Sequence, residues 1–263
     1  MGGLEVPPGV VASFSESAIY SCDESEEPGY CNQFAIPTDP RSRLIAFNDQ
    51  LSVGAEKFRF LSSRLKHLQN RNSLKILLVT SSVPEEGKTV VAANLAITLA
   101  SHQQRTLLID GDLRHASTTQ MFDLTGRTGL LDWWKENLST EQVLYKCQRL
   151  PLWLLPSASH SDEAVNVLQS SGLQQLVSTL STSFTWIIID SPPLSLFADA
   201  VSWSATADGI VFVARRGITP LNSLRHVIKT IDISKVLAVV LNEANVGKEQ
   251  EYYAHYYMKR TAR

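Results

Sequence analysis

Apolar runs of strand length alternate along this chain with stretches in which apolar residues recur at helical spacing. The runs that we predict to be strands cover residues 74–79, 106–110, 186–190, 208–214 and 236–241. The stretches that we predict to be helices cover residues 55–68, 90–99, 164–180 and 221–231. Strands that alternate with helices in this way predict an α/β fold with a doubly wound, mostly parallel sheet and helices on both faces.

The loop after the first predicted strand has the sequence of a phosphate-binding loop. It consists of Ser82, Val83, Pro84, Glu85, Glu86, Gly87, Lys88 and Thr89, and the predicted helix follows from Val90. A strand, a tight loop and a helix that opens on Gly-Lys-Thr form the P-loop layout, in which backbone N–H groups cradle phosphate oxygens. We therefore expect residues 82–90 to bind a nucleotide in a P-loop NTPase fold. Lys88 would contact the β- and γ-phosphates, and the Thr89 hydroxyl would ligate Mg²⁺.

Two further predicted strands end in aspartates. Asp110 and Asp112 close the second strand, and Asp190 closes the third. Ligands of open parallel sheets bind outside the carboxyl ends of the strands, so these carboxylates should meet Lys88 in one crevice. Any one aspartate could instead be a helix N-cap or a turn residue. All three beside a Gly-Lys-Thr loop favour a Mg-nucleotide site.

These motifs resemble those of a known family. The segment 80–89, the block Asp110-x-Asp112-x-Arg114 and the segment 190–193 are similar to the Walker A, A′ and B motifs of bacterial tyrosine autokinases, or BY-kinases. The resemblance extends from about residue 48 to the C-terminus and fits the free-standing form of the family. It implies an ATP- and Mg²⁺-dependent protein-tyrosine kinase that phosphorylates its own C-terminal tyrosines and regulates capsule or exopolysaccharide polymerisation and export.

The resemblance also implies roles for individual residues. Lys88, Asp110, Asp112 and Asp190 would be catalytic. Thr89, Asp112 and Asp190 would hold Mg²⁺ directly or through water. Asp110 would accept the proton of the attacking tyrosine, although orientation by a hydrogen bond is an equal alternative, since an unperturbed carboxylate is a weak base for a phenol.

Two further residues have a binding role and a plain structural alternative. Arg114 would help to bind the transferred phosphate or would simply pair with an acid. Asn242 follows the last predicted strand, where related ATPases place an amide that reads adenine, but a turn or a cap also explains it.

The predicted phosphoacceptors cluster near the C-terminus. Four of the seven tyrosines fall within six residues, at Tyr252, Tyr253, Tyr256 and Tyr257. Their spacing also suits a helix that docks on the protein body. The family resemblance favours a phosphorylated tail, in which each phosphate adds nearly two negative charges.

Charge and composition divide the chain into three predicted parts. Residues 1–42 form an acidic, flexible tail, residues 43–247 the ATP-binding kinase domain and residues 248–263 the tyrosine-rich tail. The first 40 residues carry a net charge of −7 and the remainder +5. The overall charge of −2 gives no reason to expect a nucleic-acid partner.

Neither a membrane-spanning run nor a secretory signal is evident, so we expect a cytoplasmic protein, or one held at the inner face of the plasma membrane by a partner. The resemblance implies three partners: a membrane polysaccharide co-polymerase as chain-length activator, a cognate tyrosine phosphatase and other copies of the chain.

Two departures from the family pattern matter. Glu85 stands where these loops usually have glycine, and Ser62 replaces the last arginine of the oligomerisation pattern Glu-x-x-Arg-x-x-Arg. Two alternatives to a kinase are an ATP-driven switch of the septum-site or partition type and a non-catalytic ATP-binding scaffold. Val83 counts against the switch, because those ATPases carry a second lysine at this position.

Overall fold

The structure, a computed structural model, describes residues 32–71, 73–158, 164–168, 170–195 and 198–244. Most of the acidic tail and the four predicted phosphoacceptor tyrosines lie outside the described residues. Their assignment as a tail and as acceptors stays a prediction.

A single eight-stranded sheet forms the centre of the fold, in the order β1-β4-β5-β3-β6-β2-β7-β8. Its strands are β1 (Asn32–Phe34), β2 (Ile76–Ser81), β3 (Thr106–Asp110), β4 (Tyr145–Cys147), β5 (Leu152–Leu155), β6 (Trp186–Asp190), β7 (Gly209–Arg215) and β8 (Val236–Asn242). Neighbouring strands are parallel except for the β4–β5 pair. The predicted doubly wound, mostly parallel sheet is confirmed.

Helices flank the sheet and connect its strands. They are α1 (Ile45–Asn48), α2 (Val53–Gln69), α3 (Lys88–Ser101), α4 (Ser117–Met121), α5 (Leu130–Glu136), α6 (Thr140–Val143), α7 (Ala164–Leu168), α8 (Ser171–Ser183), α9 (Ala198–Thr206) and α10 (Leu221–Val227). Short 3₁₀ turns cover Pro40–Ser42 and Ile233–Lys235. Across the described ranges, no helix is both long enough and apolar enough to cross a bilayer.

The two faces of the sheet support separate hydrophobic cores. Leu77 and Val79 point into the core that contains α3, whereas Leu78 points into the core that contains α8 and Trp203. This alternation follows from the two-residue period of a strand. Helix α3 is buried along almost its whole length, which fixes the direction in which the phosphate loop enters it.

Two predicted helices differ from the observed ones. The single helix predicted over residues 164–180 is two helices, because the Ser170 side chain accepts a hydrogen bond from the Leu173 N–H and caps α8. The helix predicted over residues 221–231 ends at Val227. Helix α9 was not predicted.

The boundary predicted after residue 42 is wrong. Strand β1 pairs with β4, and Phe34 and Ile36 are buried in the core. The Phe34 ring packs edge-on against Phe122, with 5.6 Å between their centroids. The folded body therefore includes residues 32–42, which the sequence analysis assigned to the tail.

We expect Phe34→Ala to lower the free energy of unfolding by about 3 kcal/mol, because it empties a buried aromatic position. Gln33→Ala changes an exposed neighbour in the same strand and should stay within about 0.5 kcal/mol of wild type. Urea denaturation of both variants measures the difference. Equal stabilities would mean that β1 is not part of the cooperative fold.

Candidate active site

Strand order brings the predicted motifs together at one edge of the sheet. Strand β6 lies between β2 and β3, with Asp190 opposite both Val79 and Asp110. The phosphate loop leaves the end of β2, and Asp112 follows the end of β3. All three motifs therefore meet outside the carboxyl ends of adjacent parallel strands, where such folds bind ligands.

The phosphate loop contains two residues in the left-handed region. Gly87 caps α3 with φ +89°, and Glu85 has φ +64°. The first value suits glycine, whereas the second is unfavourable for a residue with a side chain. The side chain that replaces the usual glycine at Glu85 therefore stands at a strained backbone position.

The Glu86 side chain is an internal brace of this loop. It is fully buried, and its carboxylate accepts hydrogen bonds from the Ser82 hydroxyl, at 3.1 Å, and the Val83 N–H, at 2.8 Å. The Thr219 hydroxyl also donates to it. Buried carboxylates need such donors, because an unpaired buried charge is costly.

Lys88, the first residue of α3, points at the second aspartate of the Asp-x-Asp pair. Its Nζ atom lies 3.5 Å from Asp112 Oδ2, and Asp112 is buried. The other Asp112 oxygen lies 3.2 Å from His115 Nδ1. The loop lysine and the β3 carboxylate thus form one charge cluster.

Asp190 is fully buried and accepts a hydrogen bond of 2.8 Å from the Thr118 hydroxyl. Burial raises the pKa of Asp190, and the positive charge of Lys88 and hydrogen bonds from Thr118 and Thr89 oppose that rise. The involvement of Thr89 places the hydroxyl that ends the phosphate loop beside the β6 carboxylate.

Asp110 is also fully buried, and Thr119 provides both of the hydrogen bonds that its side chain accepts. The Thr119 N–H and hydroxyl donate to Asp110 Oδ2 at 2.8 and 2.6 Å. Burial, followed by the charge of Asp190, raises the pKa of Asp110 to about 7, although the Thr119 bonds act against the shift. This carboxylate is therefore a stronger base than an exposed aspartate.

The residues present fit a magnesium ion that arrives with a nucleotide. In the parts of the chain that the structure describes, no group of three His, Cys, Asp or Glu side chains is arranged to hold a metal alone. Mg²⁺ is usually bound by one or two carboxylates together with substrate phosphates. Asp190 Oδ1 is buried and has no hydrogen-bond partner among the described residues, so it can serve as such an oxygen donor.

Two predicted binding residues lie at or beyond the carboxyl ends of β3 and β8. Arg114 is half-buried in the loop after β3. The Asn242 side chain donates to the Glu86 carbonyl at 3.0 Å and accepts from the Glu243 N–H at 3.0 Å. Its amide thus braces the phosphate loop, and adenine recognition stays a prediction.

Sequence reasoning missed the residues that position the carboxylates. Thr118 and Thr119 were not singled out, although both follow the Asp-x-Asp motif within nine residues. The available signal for them was the presence of hydroxyl side chains shortly after the Asp-x-Asp motif, where they could donate to its carboxylates. Their partners, Asp190 and Asp110, became evident only from the tertiary structure.

Comparison with known proteins identifies relatives of this chain. The family described as AAA domain matches residues 75–241, more than half of the chain. The tyrosine-protein kinase CpsD of Streptococcus agalactiae is 30% identical over 174 residues, which are 65% of this chain and 76% of CpsD. The chain belongs to the bacterial tyrosine kinase family.

Two further similarities cover more of the chain. The succinoglycan biosynthesis transport protein ExoP of Rhizobium meliloti is 31% identical over 243 residues, 86% of this chain. The chain spans about a third of ExoP, since the match covers 31% of that protein. The crystal structure of the chimerical protein CapA2B2 matches 88% of this chain and 99% of its own, at 25% identity and a TM-score of 0.73.

Proposed function

We propose that the chain is an ATP-dependent protein-tyrosine kinase that phosphorylates its own C-terminal tyrosines. The observation that carries this proposal is the meeting of Lys88, Asp112, Asp190 and Asp110 in one buried cluster at the end of the phosphate loop. Membership of the bacterial tyrosine kinase family supports transfer to tyrosine in particular.

Phosphoryl transfer depends mainly on positioning and on neutralising charge. The backbone N–H groups of residues 82–89 and the start of α3 would hold the phosphates of ATP, and Lys88 would neutralise the β- and γ-phosphates. Thr89, Asp112 and Asp190 would hold Mg²⁺ directly or through water. Bound there, Mg²⁺ would supply charge stabilisation to the phosphate oxygens.

The reaction makes a bond between a tyrosine oxygen and the γ-phosphorus while the bond to the β,γ-bridging oxygen breaks. ADP leaves, and the phenol gives up its proton. Asp110 would accept that proton or would orient the phenol through a hydrogen bond. Because its pKa is raised, Asp110 accepts a proton more readily than an exposed aspartate does.

The biological setting is proposed from the relatives. ExoP is named as a transport protein of succinoglycan biosynthesis, and YwqD of Bacillus subtilis as a tyrosine-protein kinase. We therefore infer that this chain acts in the cytoplasm, or at the inner face of the membrane through a polysaccharide co-polymerase, in capsule or exopolysaccharide export. A tyrosine phosphatase would reverse the modification.

We also propose a homo-oligomer, whose subunit contact would differ from the family's Glu-x-x-Arg-x-x-Arg pattern at Ser62. Arg59 pairs within α2 with Glu56, at 2.6 Å, and its guanidinium also donates to the Gln50 carbonyl at 2.8 Å. Ser62 is buried and donates to the Arg59 carbonyl. A ring could therefore use Glu56 and Arg59, but not the third position of the family pattern.

We expect Lys88→Met to reduce transfer of radioactive phosphate from ATP to the chain by at least about 100-fold, because it removes the charge on the phosphates. Lys229→Met removes an exposed lysine after α10 and should leave labelling near wild type. Circular dichroism would check that both variants are folded. Undiminished labelling of Lys88→Met would contradict the proposed site.

We also expect replacement of Tyr252, Tyr253, Tyr256 and Tyr257 by Phe to remove most self-labelling. Three tyrosines remain as internal controls. Mixing this variant with Lys88→Met, which still carries the tail, tests whether the variant remains an active kinase. Label on the Lys88→Met tail alone would support the proposal, and label that persists on the four-Phe chain would overturn the assignment of the acceptors.

A further inference from the structure

A guanidinium at the end of β7 joins the phosphate loop to the end of β8. Arg215 Nη1 donates to the Glu85 carbonyl at 3.0 Å. On its other side, Arg215 Nε and Nη2 contact Glu243 Oε2 at 2.8 and 2.6 Å. We propose that Arg215 is a positioning residue, which holds the peptide of Glu85 in its left-handed conformation and so keeps the phosphate loop in shape for ATP.

The backbone at Glu85 explains why such a restraint is needed. Its φ of +64° is disfavoured for any residue with a Cβ, and no side-chain hydrogen bond of Glu85 is evident in the described structure. A strained backbone conformation persists only where its surroundings over-determine it. The bond from Arg215 acts on the carbonyl of this same residue, and it would resist relaxation of the loop.

Neighbouring contacts hold the next residue but do not reach Glu85 itself. Thr219 donates to the Glu86 carboxylate, and Asn242 donates to the Glu86 carbonyl. The backbone N–H of Arg215 donates to the Thr219 hydroxyl at 2.7 Å. The residue that holds Glu85 and a residue that holds Glu86 therefore belong to the same turn. Arg215 therefore completes a set of bonds that fixes consecutive peptides of the loop from the ends of β7 and β8.

Glu243 orients the guanidinium for this task. The Arg215 side chain is 27% exposed, so the pair is partly shielded from water. Contacts from Nε and Nη2 to one carboxylate oxygen leave Nη1 directed at the loop. A lysine could replace one of these bonds but could not span both partners, because it lacks the planar fork of arginine.

Restoring glycine at position 85, where these loops usually have it, tests the role of Arg215. If Arg215 acts by holding a strained Glu85, then Glu85→Gly should make the chain less dependent on Arg215. Because this role rests on the proposed ATP site, the measured quantity is the Kd of the full chain for ATP with Mg²⁺, determined by isothermal titration calorimetry.

We expect Arg215→Ala to raise the Kd about 10-fold, and Arg215→Lys to raise it less. In the Glu85→Gly background, Arg215→Ala should raise the Kd only about 2-fold, since contacting residues show non-additive effects. Arg225→Ala removes an exposed arginine on α10 and should change the Kd by less than about 2-fold. Melting temperatures without nucleotide check that each variant is folded.

An equal loss in both backgrounds, or no loss in either, would overturn the role of Arg215 while leaving the ATP site intact. A wild-type chain that binds no ATP would overturn both. If Arg215→Ala does not fold, Glu243→Ala replaces it in the same cycle, with an expected rise of about 3-fold that Glu85→Gly should again diminish.

Discussion

The burial of two carboxylates side by side is the constraint on which the rest of the site depends. Parallel pairing of β3 with β6 sets Asp110 opposite Asp190, and both are fully buried. Burial raises the pKa of both carboxyl groups, and the charge of Asp190 raises the pKa of Asp110 further. Thr118 and Thr119 offset part of this rise by hydrogen bonding, and Lys88 by its charge.

The same constraint explains why this edge of the sheet suits a metal ion that arrives with a nucleotide. A buried carboxylate that keeps an unpartnered oxygen is costly unless it is protonated or a cation reaches it. The phosphate loop lies on the adjacent strand, so a nucleotide bound there would bring its metal ion to Asp190. The three aspartates supply the negative side of the site, and Lys88 with the loop N–H groups supplies the positive side.

Five of the eight strands and the aspartates that end β3 and β6 were predictable, because apolar runs of five to seven residues leave little choice of element. Strands β1, β4 and β5 were missed because each has only three or four residues, and β1 pairs with a strand more than 100 positions away. The strain at Glu85 was predictable from a missing glycine. The roles of Thr119 and Arg215 were not, since each depends on a contact between segments that only the tertiary fold brings together.

Asp190 and its neighbours would receive a divalent cation together with nucleotide phosphates. Electron paramagnetic resonance of Mn²⁺, a hexacoordinate substitute for Mg²⁺ with oxygen ligands, tests this most directly. With ADP present, the chain should bind Mn²⁺ beyond the amount that ADP alone binds, and Asp190→Asn should lose that excess. Equal binding of Mn²⁺ without nucleotide, or undiminished binding by Asp190→Asn, would contradict the account.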